Sequence, residues 1–140
     1  MGVQSELIQN SMTAATADPV AVVLDRLGLE GGPHSRCPSA RIVRSRAGSP
    51  PIAAILEEGV SFDEDRESIE ALKRFGRDLP IIYIARSASP GRETAVRRLC
   101  IHYFLAHPVE RDELRLVLEV LRRAASSYSF SQSFERFFTR

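Results

Sequence analysis

The sequence predicts an α/β fold with a parallel sheet, and its second half gives the strongest reasons. Residues 81–84 form a short apolar run of the kind found in strands that are covered on both faces. Ser89 and Pro90 then provide a helix cap followed by proline at the first helical position. A second predicted strand at 101–105 and an amphipathic helix at 112–123 complete a strand–helix–strand–helix order. This order and spacing favour parallel strands joined by right-handed crossovers.

Length and composition describe one ordinary globular domain. The 140 residues are 44% hydrophobic and 26% charged, which is enough apolar sequence for a buried core. The formal net charge of +1 provides no general attraction for nucleic acid or an anionic membrane, and no stretch approaches the roughly 20 apolar residues of a membrane span. Cys37 and Cys100 fit reduced thiols, with Cys100 on the core face of a helix. We therefore expect a cytoplasmic protein.

The front of the chain is predicted to contain an arm, a helix and two strands. Residues 1–17 are polar with no sustained period and predict a loose N-terminal arm. Asp18 and Pro19 form a helix start, and apolar residues at helical spacing continue over 20–27. The valines at the start of this stretch would also suit a strand. After this helix the sequence predicts a loop over 29–39, a strand over 40–46, a turn at 48–51 and a strand over 52–56.

The segment after the 52–56 strand predicts a helix with an acidic first turn. Ser61 and Glu64 match a capping box, in which each side chain accepts a hydrogen bond from the other's backbone amide. Acidic residues at the start and basic residues at the end complement the helix dipole. The alternative, a metal site, needs converging oxygens that this spacing does not provide. The acidic residues are Asp63, Glu64, Asp65 and Glu67, and the predicted buried face is Ile69, Leu72 and Phe75.

Three segments between residues 51 and 125 have the order and spacing of a known signalling family. They are the strand DLPIIYIA, the strand and turn YFLAHP, and the closing helix ELRLVLEVL. Together they resemble the receiver domain of bacterial two-component response regulators. The resemblance implies a flavodoxin-like three-layer sandwich around a mostly parallel five-stranded sheet, with its site at the carboxyl ends of the strands. Only 48–51 separates the predicted second and third strands, too short for the family's crossover helix, so we expect a rebuilt or truncated front half.

The residues that handle phosphate in that family are replaced here. The resemblance places the phosphoacceptor aspartate on Glu57, next to Glu58, or on Leu56 with a shift of one residue. No acidic pair for Mg²⁺ follows a first strand. The hydroxyl residue that ends the fourth strand aligns with Ala85, and the lysine of the last turn aligns with His107. A neutral imidazole is a poor substitute for a permanent ammonium. Glu57 is then either a mimic of phosphorylated aspartate or a solvated strand end, while Phe104 keeps the family's switch aromatic.

Neither a catalytic site nor a metal or cofactor site is predicted. His34, His102 and His107 lack metal-ligand spacing with the two cysteines. His107 and Glu57 could form a general acid–base pair at the carboxyl edge of the sheet. The sequence provides neither a nucleophile nor a glycine-rich phosphate loop beside such a pair. We therefore expect a protein that is not an enzyme.

The last predicted helix and the tail at 126–140 provide apolar surface for a partner. A second apolar stripe lies beside the helix's core face, and four phenylalanines recur at helical spacing in the tail. The stripe is covered either by a partner, such as a second copy, or by a front-half segment. For the tail there are four alternatives: it folds back on the domain, pairs with a second copy, docks on a partner protein or contacts a membrane surface. The interaction residues are Val109, Leu116, Val120, Phe130, Phe134, Phe137 and Phe138.

These observations predict a receiver-like domain at 18–125 that acts through protein contact or homodimerisation, without phosphorylation. The alternative is a phosphoacceptor receiver of a two-component system, or the receiver part of a transcriptional regulator, which acetyl phosphate would label. A third class, an arginine-driven nucleic-acid binder, would bind in a salt-sensitive way, but no motif indicates it. The expected partner is a protein or a second copy, with no cofactor, no direct nucleic-acid contact and no membrane span.

Overall fold

The computed structural model describes the backbone of residues 18–138 and the side chains of residues 18–126. This part of the chain contains four helices and a five-stranded sheet. The predicted N-terminal arm, residues 1–17, lies outside the described residues. In chain order the elements are α1 (Pro19–Leu27), β1 (Glu30–His34), β2 (Cys37–Arg44), β3 (Pro51–Glu57), α2 (Phe62–Phe75), β4 (Ile81–Ala85), α3 (Pro90–Arg97), β5 (Tyr103–Ala106) and α4 (Arg111–Phe138).

The five strands lie side by side in sequence order, from β1 at one edge to β5 at the other. β2 pairs antiparallel with both β1 and β3, whereas β3, β4 and β5 are parallel. The prediction of a mostly parallel sheet is therefore wrong for the front half, since two of the four pairings are antiparallel. The physical reason is the short connection between β2 and β3, which forms a hairpin and cannot contain a crossover helix.

The edge strand β1 replaces the loop predicted over 29–39. Its five residues, almost entirely exposed, pair with β2 from Glu30 onwards. Pro33 is tolerated because an edge strand has one side whose amides need no sheet partner. Gly31 permits the close approach of α1, since a Cβ there would lie 2.6 Å from Leu24 Cδ1. The glycines and the proline favour a loop in the sequence, whereas pairing with β2 makes the segment a strand.

The helix predicted after Asp18 is confirmed as α1. The Asp18 side chain accepts a hydrogen bond from Val20 N at 3.0 Å, and Pro19 occupies the first helical position. Gly28 ends the helix in the left-handed conformation, with φ at 68°. Asp18 also pairs with Arg41 of β2, which ties the start of the helix to the sheet. The buried residues of α1 are Val20, Val23 and Leu24.

Two hydrophobic cores lie on opposite faces of the sheet. Helices α1 and α4 cover one face, and α2 and α3 cover the other, so the arrangement has three layers. Strands β3 and β4 are buried on both faces, which explains their near-continuous apolar sequences. The first core includes Val20, Leu24, Val43, Ile55, Ile82, Ile84, Leu114 and Leu118, and the second includes Ala40, Ile42, Ala54, Leu56, Ile69, Leu72, Tyr83 and Val96.

Two residues that were expected in the core are exposed. Helix α2 begins at the predicted cap, where Ser61 Oγ accepts a hydrogen bond from Glu64 N at 3.2 Å, but Phe75 at its end is 46% exposed. Cys100 lies beyond the end of α3 in a left-handed conformation, with φ at 63°, and is also exposed. Both residues lie at or past a helix end, where helical spacing no longer determines which side of the chain is buried.

Helix α4 is continuous over 28 residues, from Arg111 to Phe138, which corresponds to about 42 Å. It is longer than the longest strand, β2, whose eight residues span about 26 Å. The helix does not end near residue 125, the predicted boundary between domain and tail. Tail residues 126–138 instead continue the helix that packs on the sheet.

Candidate functional site

The predicted site residues meet at the carboxyl ends of the three parallel strands. Glu57 ends β3, Ala85 ends β4 and His107 directly follows β5. Two backbone hydrogen bonds join these ends: Glu58 N donates to Ile84 O at 2.8 Å, and His107 N donates to Ala85 O at 2.9 Å. Glu57, Ala85 and His107 come together because the carboxyl ends of neighbouring parallel strands share one edge of the sheet. Glu58 directly follows Glu57 and lies at the same edge.

Glu57 and His107 form a loose pair at that edge. His107 Nε2 lies 3.9 Å from Glu57 Oε1, and the two side chains are 38% and 41% exposed, in that order. The pair is ionic only while the imidazole is protonated. An exposed pair at this distance contributes little to stability. Its geometry is that of a solvated surface pair rather than of an acid–base centre.

Asp65 lies at the centre of a buried polar arrangement behind the edge. It belongs to the first turn of α2 and is 1% exposed. Asp65 Oδ1 accepts a hydrogen bond from Gly59 N at 2.8 Å, and Oδ2 accepts one from the Tyr83 hydroxyl at 2.6 Å. Gly59 permits this approach because a Cβ there would lie 2.8 Å from Oδ1. Both oxygens of the buried carboxylate are hydrogen-bonded, which is what makes its burial tolerable.

Arg92, in the first turn of α3, reaches the same arrangement. Its Nε lies 3.6 Å from Glu58 Oε1, and its Nη1, which is buried without a hydrogen bond, lies 3.9 Å from Asp65 Oδ2. The guanidinium also lies over the ring of Phe62, 5.7 Å from its centroid. Arg86 approaches the other oxygen of Glu58 at 3.9 Å. We call Glu58, Asp65, Tyr83 and Arg92 the polar cluster.

Tyr83 acts as a neutral hydrogen-bond donor in the polar cluster. Burial of the side chain, together with the Asp65 carboxylate that accepts its hydrogen bond, raises the pKa of Tyr83 above its ordinary value. The protonated hydroxyl is the form that can donate to Asp65. The ring also stacks against Phe104, with centroids 5.6 Å apart. The predicted switch aromatic therefore contacts the polar cluster through Tyr83.

Apart from Glu58, the polar cluster is the part of the site that the sequence did not predict. The sequence places Asp65 among several carboxylates that complement the helix dipole, and Tyr83 in an apolar strand. One signal was available, because a tyrosine in a strand buried on both faces needs a partner for its hydroxyl. The spacing does not say which acidic residue supplies that partner, since Asp63 and Glu64 lie in the same turn.

The acidic first turn of α2 does not converge on one point. Asp65 is buried in the polar cluster, whereas the Asp63 side chain is 78% exposed and pairs with Arg66 at 3.3 Å. Among residues with described side chains, no group of three or more His, Cys, Asp or Glu is arranged to hold a metal ion.

The predicted interaction stripe on α4 is exposed at two positions. Leu116 and Val120 are 55% and 53% exposed, while Leu118 between them is fully buried. Val109 is partly buried and packs against the core beneath α1 and α4, so it does not belong to the exposed stripe. The remaining predicted positions, Phe130, Phe134, Phe137 and Phe138, belong to α4 but lie outside the described side chains.

A separate groove of about 660 Å³ lies between the β1–β2 hairpin and the end of α2. Arg36, Arg44 and Arg74 line it together with Phe75, whose ring meets His34 edge to face at 4.9 Å. None of the residues predicted for the strand-end site lines this groove. It is therefore a second surface feature, independent of the polar cluster.

Comparison with known proteins assigns no relative. No family model, curated protein or solved structure matches the chain. Within the described part of the chain, no helix is both long and apolar enough to cross a membrane.

Proposed function

We propose that the chain is a receiver-like signalling module that acts through protein contact, without phosphoryl transfer. The observation that carries this proposal is the exposure of Leu116 and Val120, one helical turn apart on α4. The opposite side of the same helix is already buried against the sheet. Adjacent large apolar side chains on a helix face that the described residues leave uncovered form the kind of patch that marks a contact site, so we assign this face to a partner protein.

The receiver-like relationship is supported by the second half of the chain. Strands β3, β4 and β5 are parallel, alternate with α2, α3 and α4, and bring Glu57, Ala85 and His107 to one edge. This is the arrangement that the resemblance of residues 51–125 implies. The helix α1 and the β1–β2 hairpin replace the elements expected in front of it. We therefore propose a flavodoxin-like relationship for the second half, with a rebuilt front half.

The polar cluster supports a function without phosphoryl transfer. Glu58 and Asp65 already have cationic neighbours from this chain, Arg86 and Arg92, at 3.6–3.9 Å. A hard dication binding at this edge would have to separate Arg92 from both carboxylates, and separating buried opposite charges is unfavourable. The exposed carboxylate that remains, Glu57, lies beside His107.

The contact proposal is tested with the Leu116→Ala/Val120→Ala double variant of the full chain. In cells that produce the protein, we expect chemical cross-links from wild type to other polypeptides to concentrate on α4 and to fall to background in the variant. Val60→Ala is a matched control, because Val60 is 85% exposed and lies between β3 and α2. Cross-links that are unchanged in the double variant would contradict the proposal.

The phosphoacceptor alternative is tested with acetyl phosphate and Mg²⁺, read out by the mass of the intact protein. We expect the chain to remain unmodified. A phosphoryl adduct that disappears in the Glu57→Gln variant would overturn the claim that no phosphoryl group is transferred.

A further inference from the structure

Because α4 is continuous, the apolar stripe that begins at Leu116 and the phenylalanines of the tail lie on one helix. From residue 116, alternating steps of four and three residues reach positions 120, 123, 127, 130, 134 and 137, all within the same helix. This mean period of 3.5 residues is the spacing found on a helix that packs along its length against another helix. We call these positions the α4 seam: Leu116, Val120, Arg123, Ser127, Phe130, Phe134 and Phe137.

The α4 seam lies opposite the face that packs on the sheet. At about 100° per residue, position 118 is separated from positions 116 and 120 by about 160° around the helix axis. Leu118 is fully buried, whereas Leu116, Val120 and Arg123 are exposed. The described body of the protein therefore leaves the first part of the seam open.

The tail cannot cover that open part. Side chains of one helix meet only neighbours about three or four positions away. Phe130 lies ten positions beyond Val120 in the same continuous helix. A return of the tail onto Leu116 and Val120 is therefore excluded while α4 remains one helix, and the occupant comes from elsewhere.

We propose that the occupant is a second copy of this chain, whose α4 seam runs antiparallel to the first. This inference rests on the proposed function and identifies its partner. In an antiparallel pair centred on residue 125, six of the seven seam positions meet each other: four apolar positions meet as two apolar pairs, and the two polar positions form the third pair. The seventh position, Phe137, meets Glu113, which lies outside the seam. In this register, position 116 lies opposite position 134 of the second copy, position 120 lies opposite position 130, and position 123 lies opposite position 127.

Arg123 decides the direction of the pair. In a parallel pair it would lie against Arg123 of the partner subunit, and two like charges brought together in an apolar seam repel. In the antiparallel pair Arg123 lies opposite position 127, which is an uncharged serine, so this repulsion between two arginines is absent. One patch then serves both copies around a two-fold axis, so the assembly closes as a dimer.

The oligomeric state of the full chain tests the seam. By light scattering coupled to size-exclusion chromatography, we expect wild type to be a dimer and Val120→Asp to be a monomer, because a carboxylate is unfavourable in an apolar contact. Val60→Asp is the matched control: the same change at a valine that is 85% exposed, away from α4. It should remain a dimer. A wild-type monomer, or a dimer that survives Val120→Asp, would overturn the proposal.

A disulfide test fixes the direction of the helices. The Leu116→Cys/Phe134→Cys variant is made with Cys100→Ala, while Cys37 stays because it is buried. Positions 116 and 134 are about 27 Å apart along one helix, so a disulfide between them forms only between two copies. We expect that disulfide on oxidation. A disulfide joining two copies of position 116 would overturn the antiparallel arrangement.

The outcomes separate this inference from the proposed function. A monomeric wild type would mean that a second copy is the wrong occupant of the seam. The occupant is then identified by the cross-links that Leu116→Ala/Val120→Ala removes, which join α4 either to another protein or to residues 1–17. The contact proposal survives that result only where the cross-linked partner is another protein. A phosphoryl adduct at Glu57 would instead contradict the proposed function, whatever the oligomeric state of the protein.

Discussion

The polar cluster and the exposed stripe of α4 differ in whether their side chains find partners within the chain. In the cluster, Asp65 accepts hydrogen bonds from Gly59 and Tyr83 and lies beside Arg92, all within one chain. On α4, Leu116 and Val120 remain more than half exposed although the helix around them is packed. At the edge where the resemblance places phosphate chemistry, both oxygens of the buried Asp65 carboxylate thus have donors within the chain, and only Arg92 Nη1 among the described buried side-chain atoms lacks a hydrogen bond. The apolar surface that the described residues leave uncovered lies on α4.

This contrast makes opposite predictions for the two regions. Changes in the polar cluster should lower the free energy of unfolding, because they leave buried polar groups without partners. Changes in the stripe should leave unfolding nearly unchanged and alter only association.

Asp65→Ala should lower the free energy of unfolding by about 3–5 kcal/mol, as expected when one partner of a buried charged arrangement is removed. The change leaves the Tyr83 hydroxyl, Gly59 N and the buried Arg92 Nη1 without the carboxylate. Urea denaturation measures the effect. Asp63→Ala, in the same helical turn but exposed, should change stability little. Equal stability of the two variants would mean that the cluster does not hold the sheet edge together.

Leu118→Ala should lower the free energy of unfolding by about 2–5 kcal/mol, because it opens a cavity in the core beneath α4. Leu116→Ala, two residues earlier and exposed, should change it by less than about 0.5 kcal/mol. Both values are measured by urea denaturation at concentrations low enough to suppress association. A large loss in Leu116→Ala under these conditions would show that this side chain is part of the monomer's core.

Tyr83→Phe should lower the free energy of unfolding by about 1–2 kcal/mol near neutral pH, since Asp65 Oδ2 loses its hydrogen bond. The difference from wild type should shrink above about pH 10, where the unfolded tyrosine ionises. The pKa of Tyr83 is raised in the folded state, so the unfolded state releases its proton first. Wild type then loses up to about 1.4 kcal/mol per pH unit that the variant does not lose.

The measurement for Tyr83 is urea denaturation of both proteins from neutral to alkaline pH. Their other ionisable groups are shared, so the difference between the two curves isolates the tyrosine. A difference that stays constant with rising pH would contradict the buried, neutral hydroxyl.

His107→Gln should change the free energy of unfolding by less than about 0.5 kcal/mol, because its pairing with Glu57 is exposed. Denaturation at pH 5 and pH 8 would detect any contribution from a protonated imidazole. A marked loss only at the lower pH would show that the pair is stronger than its geometry indicates.

The second half of the fold could be predicted from the sequence because its signals are local. Strand β4 spans Ile81–Ala85 where an apolar run at 81–84 predicts it, and α2 and α3 start at the predicted caps Ser61 and Ser89. Strand β1 could not be predicted, since its glycines and proline are turn residues and only pairing with β2 makes it a strand.

The candidate site divides in the same way. The meeting of Glu57, Ala85 and His107 follows from the order of parallel strands, which the sequence predicts. The contacts of Asp65 and Arg92 with Tyr83 and Glu58 depend on how α2 and α3 are placed over the sheet. That placement is set by side-chain packing between distant segments, and helical periodicity does not determine it.

The most direct test is an amide NMR titration of the full chain with beryllofluoride and Mg²⁺, a mimic of aspartyl phosphate. We expect the amides of Glu57, Ala85 and Phe104 to keep their chemical shifts, because this edge is internally paired and contact through α4 does not require phosphate. Shifts that spread from Glu57 through Ala85 to Phe104 would reveal a working phosphate switch and contradict the proposed function.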